Sequence, residues 1–329
     1  MNNTSIIGAG AWGSALAQVI AAHEEEMTLW TRNPALADEI NTTHKNKAYL
    51  GDTQLSNHIN ATSVLEIALE SSILLMVTPA QSIRAVLNDM KPFIRADHTL
   101  VLCSKGIETE TGHLMSDVVA EILPDTPCAI LSGPNFAHEI AAGKPAGTTL
   151  ACTDKDLAIT LQNAIASAYF RPYISNDIIG TQIAGALKNV IAIACGMAHG
   201  MNMGESARAS LVTRGLVEIA RLGVAMGGHQ ETFLGLCGVG DMMLTCSSEK
   251  SRNFALGYAL GKGTDVDSAL NSSKGIAEGF YTAKAAVKLA NKYNVEMPIS
   301  MTVHKCLNES LSLDLALQEM LSRPLGEEL

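Results

Sequence analysis

The sequence predicts an α/β domain over residues 1–176 followed by an all-α domain over 177–329. Three observations carry this. At 329 residues the chain is about twice the length of a typical single domain. Its first half alternates short apolar runs with amphipathic segments, the pattern of a mostly parallel sheet with helices on both faces. Beyond Ser175-Asn176-Asp177 the β-rich runs stop, and helix-period segments joined by Gly-rich turns take over.

Taken in order, strands are expected at 4–7, 27–30, 72–77, 98–103, 128–132, 148–152 and 169–174. Helices are expected between them at 12–22, 34–40, 62–69, 79–90, 112–122 and 154–166. Asn33-Pro34 and Thr78-Pro79 mark helix starts, each a capping side chain before a proline whose missing N–H is no loss in the first turn. The second half reads as helices over 177–203, 206–226, 229–236, 252–261, 276–293 and 299–320.

Composition excludes several classes of function. The chain is 47% apolar and 17% charged, too hydrophobic and too weakly charged for a disordered protein. A net charge of −10 disfavours general polyanion binding, so no nucleic-acid partner is expected. Seven cysteines, several inside apolar runs and none in a C-x-x-C pair, read as buried reduced thiols of a cytoplasmic protein. Nine scattered histidines show no ligand spacing, so no metal is expected. Residues 1–23 carry no charged side chain, but they lack a basic start and are broken by Gly8, Gly10 and Gly13. Neither a signal peptide nor an integral membrane segment is expected.

Those glycines have another reading. Ser5-Ile-Ile-Gly8-Ala-Gly10-Ala-Trp-Gly13 is G-x-G-x-x-G after a strand and opening a helix. The first Gly permits the tight turn, the second lets backbone approach a pyrophosphate, and the third lets helix and strand pack closely. The first domain is therefore expected to be a Rossmann-type dinucleotide-binding domain. An acidic residue after the second strand would favour NAD(H) by accepting from the ribose hydroxyls. This chain has Trp30-Thr31-Arg32-Asn33 there, and Arg32 can neutralise a 2′-phosphate, so NADP(H) is expected to be preferred with NAD(H) possible.

Strand ends deliver polar groups to the ligand crevice of such a sheet. Here they are Ser104-Lys105-Gly106 and Ser132-Gly133-Pro134-Asn135-Phe136-Ala137. Lys188 is the only charged side chain between Asp177 and Glu205, in an apolar, Ala/Gly-rich helix. Burying a lysine is costly without a partner or a task, and burial lowers its pKa towards useful acid/base chemistry. Asp241, in Gly238-Val-Gly-Asp241, is a candidate to orient Lys188. Ser251-Arg252-Asn253 at a helix start is either a phosphate site or an ordinary surface cap.

Together these strings resemble bacterial-type NAD(P)-dependent glycerol-3-phosphate dehydrogenases, in order and over nearly the whole chain. They are Gly8-Ala-Gly-Ala-Trp-Gly13-Ser-Ala-Leu-Ala17, Ser104-Lys-Gly106, Ser132-Gly-Pro-Asn-Phe-Ala137, Gly185-Ala-Leu-Lys-Asn-Val190, Gly238-Val-Gly-Asp241, Thr245-Cys and Ser251-Arg-Asn253. The resemblance implies reversible hydride transfer between NAD(P)H and dihydroxyacetone phosphate, giving sn-glycerol 3-phosphate for glycerophospholipid synthesis. It implies Lys188 as proton donor and acceptor, with substrate contacts at Lys105, Gly133, Asn135, Lys188, Asp241, Ser251, Arg252 and Asn253. It implies cofactor contacts at Gly8, Gly10, Ala11, Trp12, Gly13, Arg32, Lys105, Ala137, Arg252, Ile276 and Glu278. Ala11, Trp12, Asn135 and Ile276 stand where the family's pattern admits other residues, so contacts there are expected through the backbone. The substrate is expected to lie between the domains, and a homodimer through the helical domain is expected. Two alternatives remain at this level. One is another two-domain reductase, of 3-hydroxyacid or ketopantoate type, whose substrates end in carboxylates. The other is a non-catalytic dinucleotide sensor, which would need the Gly loop but not Lys188, Asp241 and Arg252 together.

Overall fold

A computed structural model describes residues 4–24, 26–272 and 277–324. Two compact units divide the chain, Met1–Ser104 with Met115–Ile178, and Lys105–Leu114 with Ile179–Leu329. The short segment Lys105–Leu114, placed in the first domain by the 176/177 boundary, lies with the helical unit. Ile107 and Leu114 are buried in that unit's core and pair across an isolated β-bridge, which ties the excursion down.

The first unit is one eight-stranded sheet. Its strands are β1 (Thr4–Ile7), β2 (Met27–Trp30), β3 (Ile59–Thr62), β4 (Ile73–Met76), β5 (Thr99–Leu102), β6 (Cys128–Ser132), β7 (Ala146–Ala151) and β8 (Phe170–Ser175). Their order is β3-β2-β1-β4-β5-β6-β7-β8, and only the β6–β7 pair is antiparallel. The central strands β1, β4 and β5 are buried along their whole length because both faces are covered. Ile6, Ile73, Leu75 and Val101 enter one core, while Ile7, Leu74, Met76, Leu100 and Leu102 enter the other. The covering helices are α1 (Ala11–Ile20), α2 (Pro34–Thr43), α3 (Lys47–Leu50), α4 (Leu65–Ala68), α5 (Ile83–Met90), α6 (Met115–Ile122), α7 (Ala137–Ala141) and α8 (Lys155–Ile165). Asn33 caps α2 as expected, accepting from the Ala35 N–H at 3.1 Å. The strand β3 has no counterpart among the expected strands, and its last residue falls at the start of the helix expected over 62–69. Its pattern is only Ile59-Asn-Ala-Thr62, with Ile59 and Ala61 buried, and the helix shrinks to α4.

The second unit is helical: α9 (Ile178–Gly200), α10 (Glu205–Ala225), α11 (Asp241–Cys246), α12 (Arg252–Gly261), α13 (Val266–Ser272), α14 (Glu278–Tyr293), α15 (Pro298–Asn308) and α16 (Leu313–Leu321). The Rossmann-like unit and the helical unit after it match the expected fold class. Every residue of α9 from Gly180 to Ala198 is buried. This helix is long and apolar enough to cross a membrane by composition, but 89% of its most apolar stretch lies inside the protein, as a central core helix requires. α12 crosses it in close contact. A Cβ on Gly196 would stand 2.1 Å from the Phe254 carbonyl, and one on Gly257 2.0 Å from that of Ile193. The segment read as one helix over 299–320 is two, because Ser310 is left-handed (φ 59°) and Ser312 opens α16 by accepting from the Leu315 N–H. The helix expected over 229–236 is a 3₁₀ turn, Gln230–Leu234, followed by a π-turn, Leu236–Gly240, that leads into α11. All seven cysteines are free, and all but Cys128 are buried.

Candidate active site

In the α/β unit the winding reverses between β1 and β4, and ligands bind such sheets at that switch point, beyond the carboxyl ends of the strands. The glycine loop sits there. Gly8 has φ +123° and its N–H donates to the Trp30 carbonyl at 3.0 Å. A Cβ on Gly13 would stand 1.8 Å from the Gly8 carbonyl oxygen, whereas one on Gly10 would meet nothing within 4 Å. The third glycine is thus fixed by packing, and the second faces open space. α1 begins at Ala11 with no side-chain cap and no acidic residue in its first turn. Its first N–H groups and positive dipole end are therefore available to an anion. The geometry fits a dinucleotide pyrophosphate.

Further polar groups stand beside the loop and at the ends of neighbouring strands. Thr78, after β4, has a buried hydroxyl with no partner among the described residues. Its carbonyl accepts from the Ser104 hydroxyl. Half-buried Trp12 packs against Phe170 at 6.2 Å between ring centroids, with its indole Nε1 buried and unpartnered among the described residues. Arg32 is exposed between β2 and the cap of α2, with no acidic residue from Trp30 to Pro34. Beyond β6, Gly133 packs on Thr148, and the Asn135 amide donates to the Gly147 carbonyl at 3.1 Å while its oxygen is buried and unpartnered among the described residues. Ala137 opens α7.

The helical unit holds a buried cluster of charged groups. Lys188, in the middle of α9, donates to Asp241 Oδ1 at 2.7 Å and to Thr245 Oγ1 at 2.6 Å. Lys105 donates to the other carboxylate oxygen, Asp241 Oδ2, at 2.7 Å. Asp241 and Thr245 reach Lys188 together because they lie one turn apart on α11, and the hydroxyl also donates to Oδ1 at 3.3 Å. Lys188 and Asp241 are buried, and Lys105 keeps about a fifth of its side chain exposed (21%). Burial brings the Lys188 pKa down to about 8 against the pull of Asp241, and the positive charge of Lys105 pushes the same way. The Lys188 and Lys105 ammonium groups thus share the Asp241 carboxylate, one on each oxygen. An ammonium has three N–H donors, and two of those on Lys188 are used within the cluster.

Next to Lys188, Asn189 accepts from the Asn253 amide at 2.9 Å, and Asn253 Oδ1 accepts from the Gly279 N–H at 2.9 Å. This chain of bonds ties α9 to the starts of α12 and α14. Ser251 caps α12, accepting from the Phe254 N–H at 3.3 Å. Ser251 and Asn253 are buried while Arg252 is exposed, making no ion pair among the described residues. Among the described residues, one amide N–H of Asn253 has no partner and the Arg252 guanidinium makes no ion pair. Glu278 is the first residue of α14, and Ile276 lies outside the described residues. The structure thus brings Lys105, Lys188 and Asp241 into one cluster, and joins Asn253 to Asn189 and Gly279. Thr245 and Asn189 had no individual role in the sequence pattern, and Thr78, expected to cap a helix, caps none: the turn Ala80–Ser82 starts after Pro79 without a side-chain cap. The spacing Asp241-Met-Met-Leu-Thr245 was the available signal for the first of these.

Comparison with known proteins agrees along the whole chain. Residues 3–158 match the model of the NAD-dependent glycerol-3-phosphate dehydrogenase N-terminus, and residues 177–318 that of its C-terminus. A glycerol-3-phosphate dehydrogenase [NAD(P)+] of Parvibaculum lavamentivorans is 46% identical over 98% of this chain and 97% of its own. One of Rhodospirillum rubrum is 45% identical over 100% of this chain and 94% of its own. The crystal structure of a glycerol-3-phosphate dehydrogenase from Coxiella burnetii superposes with a TM-score of 0.94 at 37% identity, covering 98% of this chain and 99% of that one. A ketopantoate reductase from Ralstonia eutropha superposes with a TM-score of only 0.59 at 14% identity, over 97% of this chain and 99% of its own, a likeness of fold alone. The chain belongs to the NAD-dependent glycerol-3-phosphate dehydrogenase family.

Proposed function

We propose that the protein reversibly reduces dihydroxyacetone phosphate to sn-glycerol 3-phosphate with NADPH, and with NADH less well, feeding glycerophospholipid synthesis. The observation that carries this reading is the buried cluster of Lys188, Asp241 and Lys105. Bound at the glycine loop, NAD(P)H supplies the hydride. As the substrate's carbonyl carbon is reduced, negative charge builds on its oxygen, and Lys188 gives that oxygen a proton from its remaining N–H. A pKa near 8 lets it do so near neutral pH and take the proton back in the reverse direction. Asp241 and Thr245 fix the direction of the ammonium, and Lys105 adds positive charge where the oxyanion forms. Arg252, Ser251 and the free amide N–H of Asn253 hold the substrate's phosphate, with Gly133 and Asn135 contacting its polar groups. Gly8, Gly10, Ala11, Trp12, Gly13, Arg32, Lys105, Ala137, Arg252, Ile276 and Glu278 are assigned to the dinucleotide, Arg32 to its 2′-phosphate. A homodimer formed through the helical unit is part of the proposal, supported by exposed Leu234 and Met243 there, as is a cytoplasmic location, supported by the free cysteines.

Lys188→Met tests the central role, since it keeps the stem and removes the ammonium. We expect it to fold and bind NADPH, with kcat lowered by about 10²–10⁴-fold. The wild-type reduction rate should fall as pH rises through about 8, the pKa of Lys188, and the variant should lack that step. A variant with most of its kcat and an unchanged pH profile would remove Lys188 from the chemistry.

A further inference from the structure

Asn46, on the loop between α2 and α3, lies 33 residues beyond Gly13 in sequence yet is fully buried against the glycine loop. Its amide nitrogen donates to the Ala9 carbonyl at 2.9 Å and to Ser14 Oγ at 2.8 Å. These two acceptors stand at either end of the turn that carries Gly10, Ala11, Trp12 and Gly13. The amide oxygen of Asn46 is buried and unpartnered among the described residues, so the side chain is placed there for its donors. An acceptor buried in this way costs stability.

The consequence follows from the planarity of the peptide unit. In a trans peptide the carbonyl and the following N–H point in opposite directions. While Asn46 holds the Ala9 oxygen, the Gly10 N–H is turned the other way, and a Cβ on Gly10 would meet nothing within 4 Å. Without a donor behind it, the buried Ala9 oxygen gains by turning out to solvent. Such a flip would withdraw the Gly10 N–H and present a carbonyl oxygen to the phosphates.

We propose that Asn46 is a positioning residue for the dinucleotide, a two-point clamp that keeps the glycine loop in its anion-binding form. This rests on the reading of the loop as the dinucleotide site. Calorimetric titration of the wild type with NADP+ tests that reading separately, because a wild type that does not bind would refute the reading itself.

The test of the clamp is Asn46→Asp, which keeps shape but removes both donors at neutral pH. At about pH 8 we expect the Kd for NADP+ to rise at least about tenfold, the worth of one lost hydrogen bond to a buried partner. Near pH 5.5 the buried introduced carboxyl group takes up a proton and regains one donor, so affinity should recover to within about threefold of the wild type at that pH. A purely structural side chain would show a lower melting temperature with Kd unchanged, and no recovery in acid. Ser14→Ala removes only the second acceptor, and should raise Kd about threefold with little change in melting temperature. An unchanged Kd in Asn46→Asp, or a weakened Kd that does not recover in acid, overturns the proposal. If Asn46→Asp does not fold at either pH, Ser14→Ala decides, and an unchanged Kd there overturns it too.

Discussion

Among the individual side chains, the proposed phosphate contact of Arg252 can be tested apart from the reaction chemistry. It is exposed at the first position of α12, while Ser251 and Asn253 on either side are buried in bonds that hold the helices. Arg252→Ala should therefore leave the fold intact. Losing a charge-assisted pair with a phosphate is worth about 2–3 kcal/mol, or about 30- to 150-fold in kcat/KM for dihydroxyacetone phosphate. Unphosphorylated dihydroxyacetone never uses the contact and should lose much less. Steady-state kinetics on both substrates checks this, and equal losses would move the phosphate site elsewhere. The lysines differ from Arg252 in kind. Lys188 was legible as an isolated charge in an apolar helix, and Asp241 as an acid in a Gly-rich loop. The sharing of that carboxylate with Lys105 was not legible. It depends on residues 105–114 lying with the helical unit, and nothing in their local pattern announces that.

At the scale of elements, a buried carboxyl group joins two helices. Glu218 of α10 accepts from the Ile299 N–H at 2.6 Å and from the Ser300 N–H and hydroxyl, both at 3.1 Å, at the start of α15. Burial pushes its pKa up to about 7, although these hydrogen bonds pull it down. In the unfolded chain it titrates near 4.5, so between the two values the folded state holds more protons than the unfolded one. Stability from this group is complete below about pH 4.5 and is lost as pH rises through about 7, by up to about 3 kcal/mol. Denaturation midpoints of the wild type and Glu218→Gln at pH 5 and pH 7.5 isolate the effect from other titrating groups. The wild type should lose more stability over that interval than the variant, and parallel profiles would contradict the assignment. Elements with strong local signals were readable: α9 from its apolar run, α2 from Asn33-Pro34, and β4 and β5 from their β-rich cores. Those fixed by long-range pairing were not. The strand β3 has two buried side chains and earns its place by pairing with β2. Likewise, the break after α15 hangs on a single left-handed serine.

For the molecule as a whole, the division of labour follows the two units. The sheet unit holds an uncapped helix start and an open Gly10, the proposed dinucleotide site. The helical unit carries a buried ammonium held by Asp241 and Thr245, tuned so that its proton is exchangeable near neutral pH. The family and its order of motifs could be read from the sequence, because glycines required by close packing and charges inside apolar helices leave local marks. The clamp of Asn46 on the loop left no such mark, since an asparagine in a polar loop looks like any turn residue. The choice of substrate is the property that most sharply distinguishes a phosphate-binding site from a carboxylate-binding one. The direct measurement is the rate of NADPH and NADH oxidation by the purified protein with dihydroxyacetone phosphate and, separately, with 2-ketopantoate. A site built around a phosphate grip should favour dihydroxyacetone phosphate by at least about 10³ in kcat/KM, with NADPH ahead of NADH. Equal or faster turnover of 2-ketopantoate would contradict it.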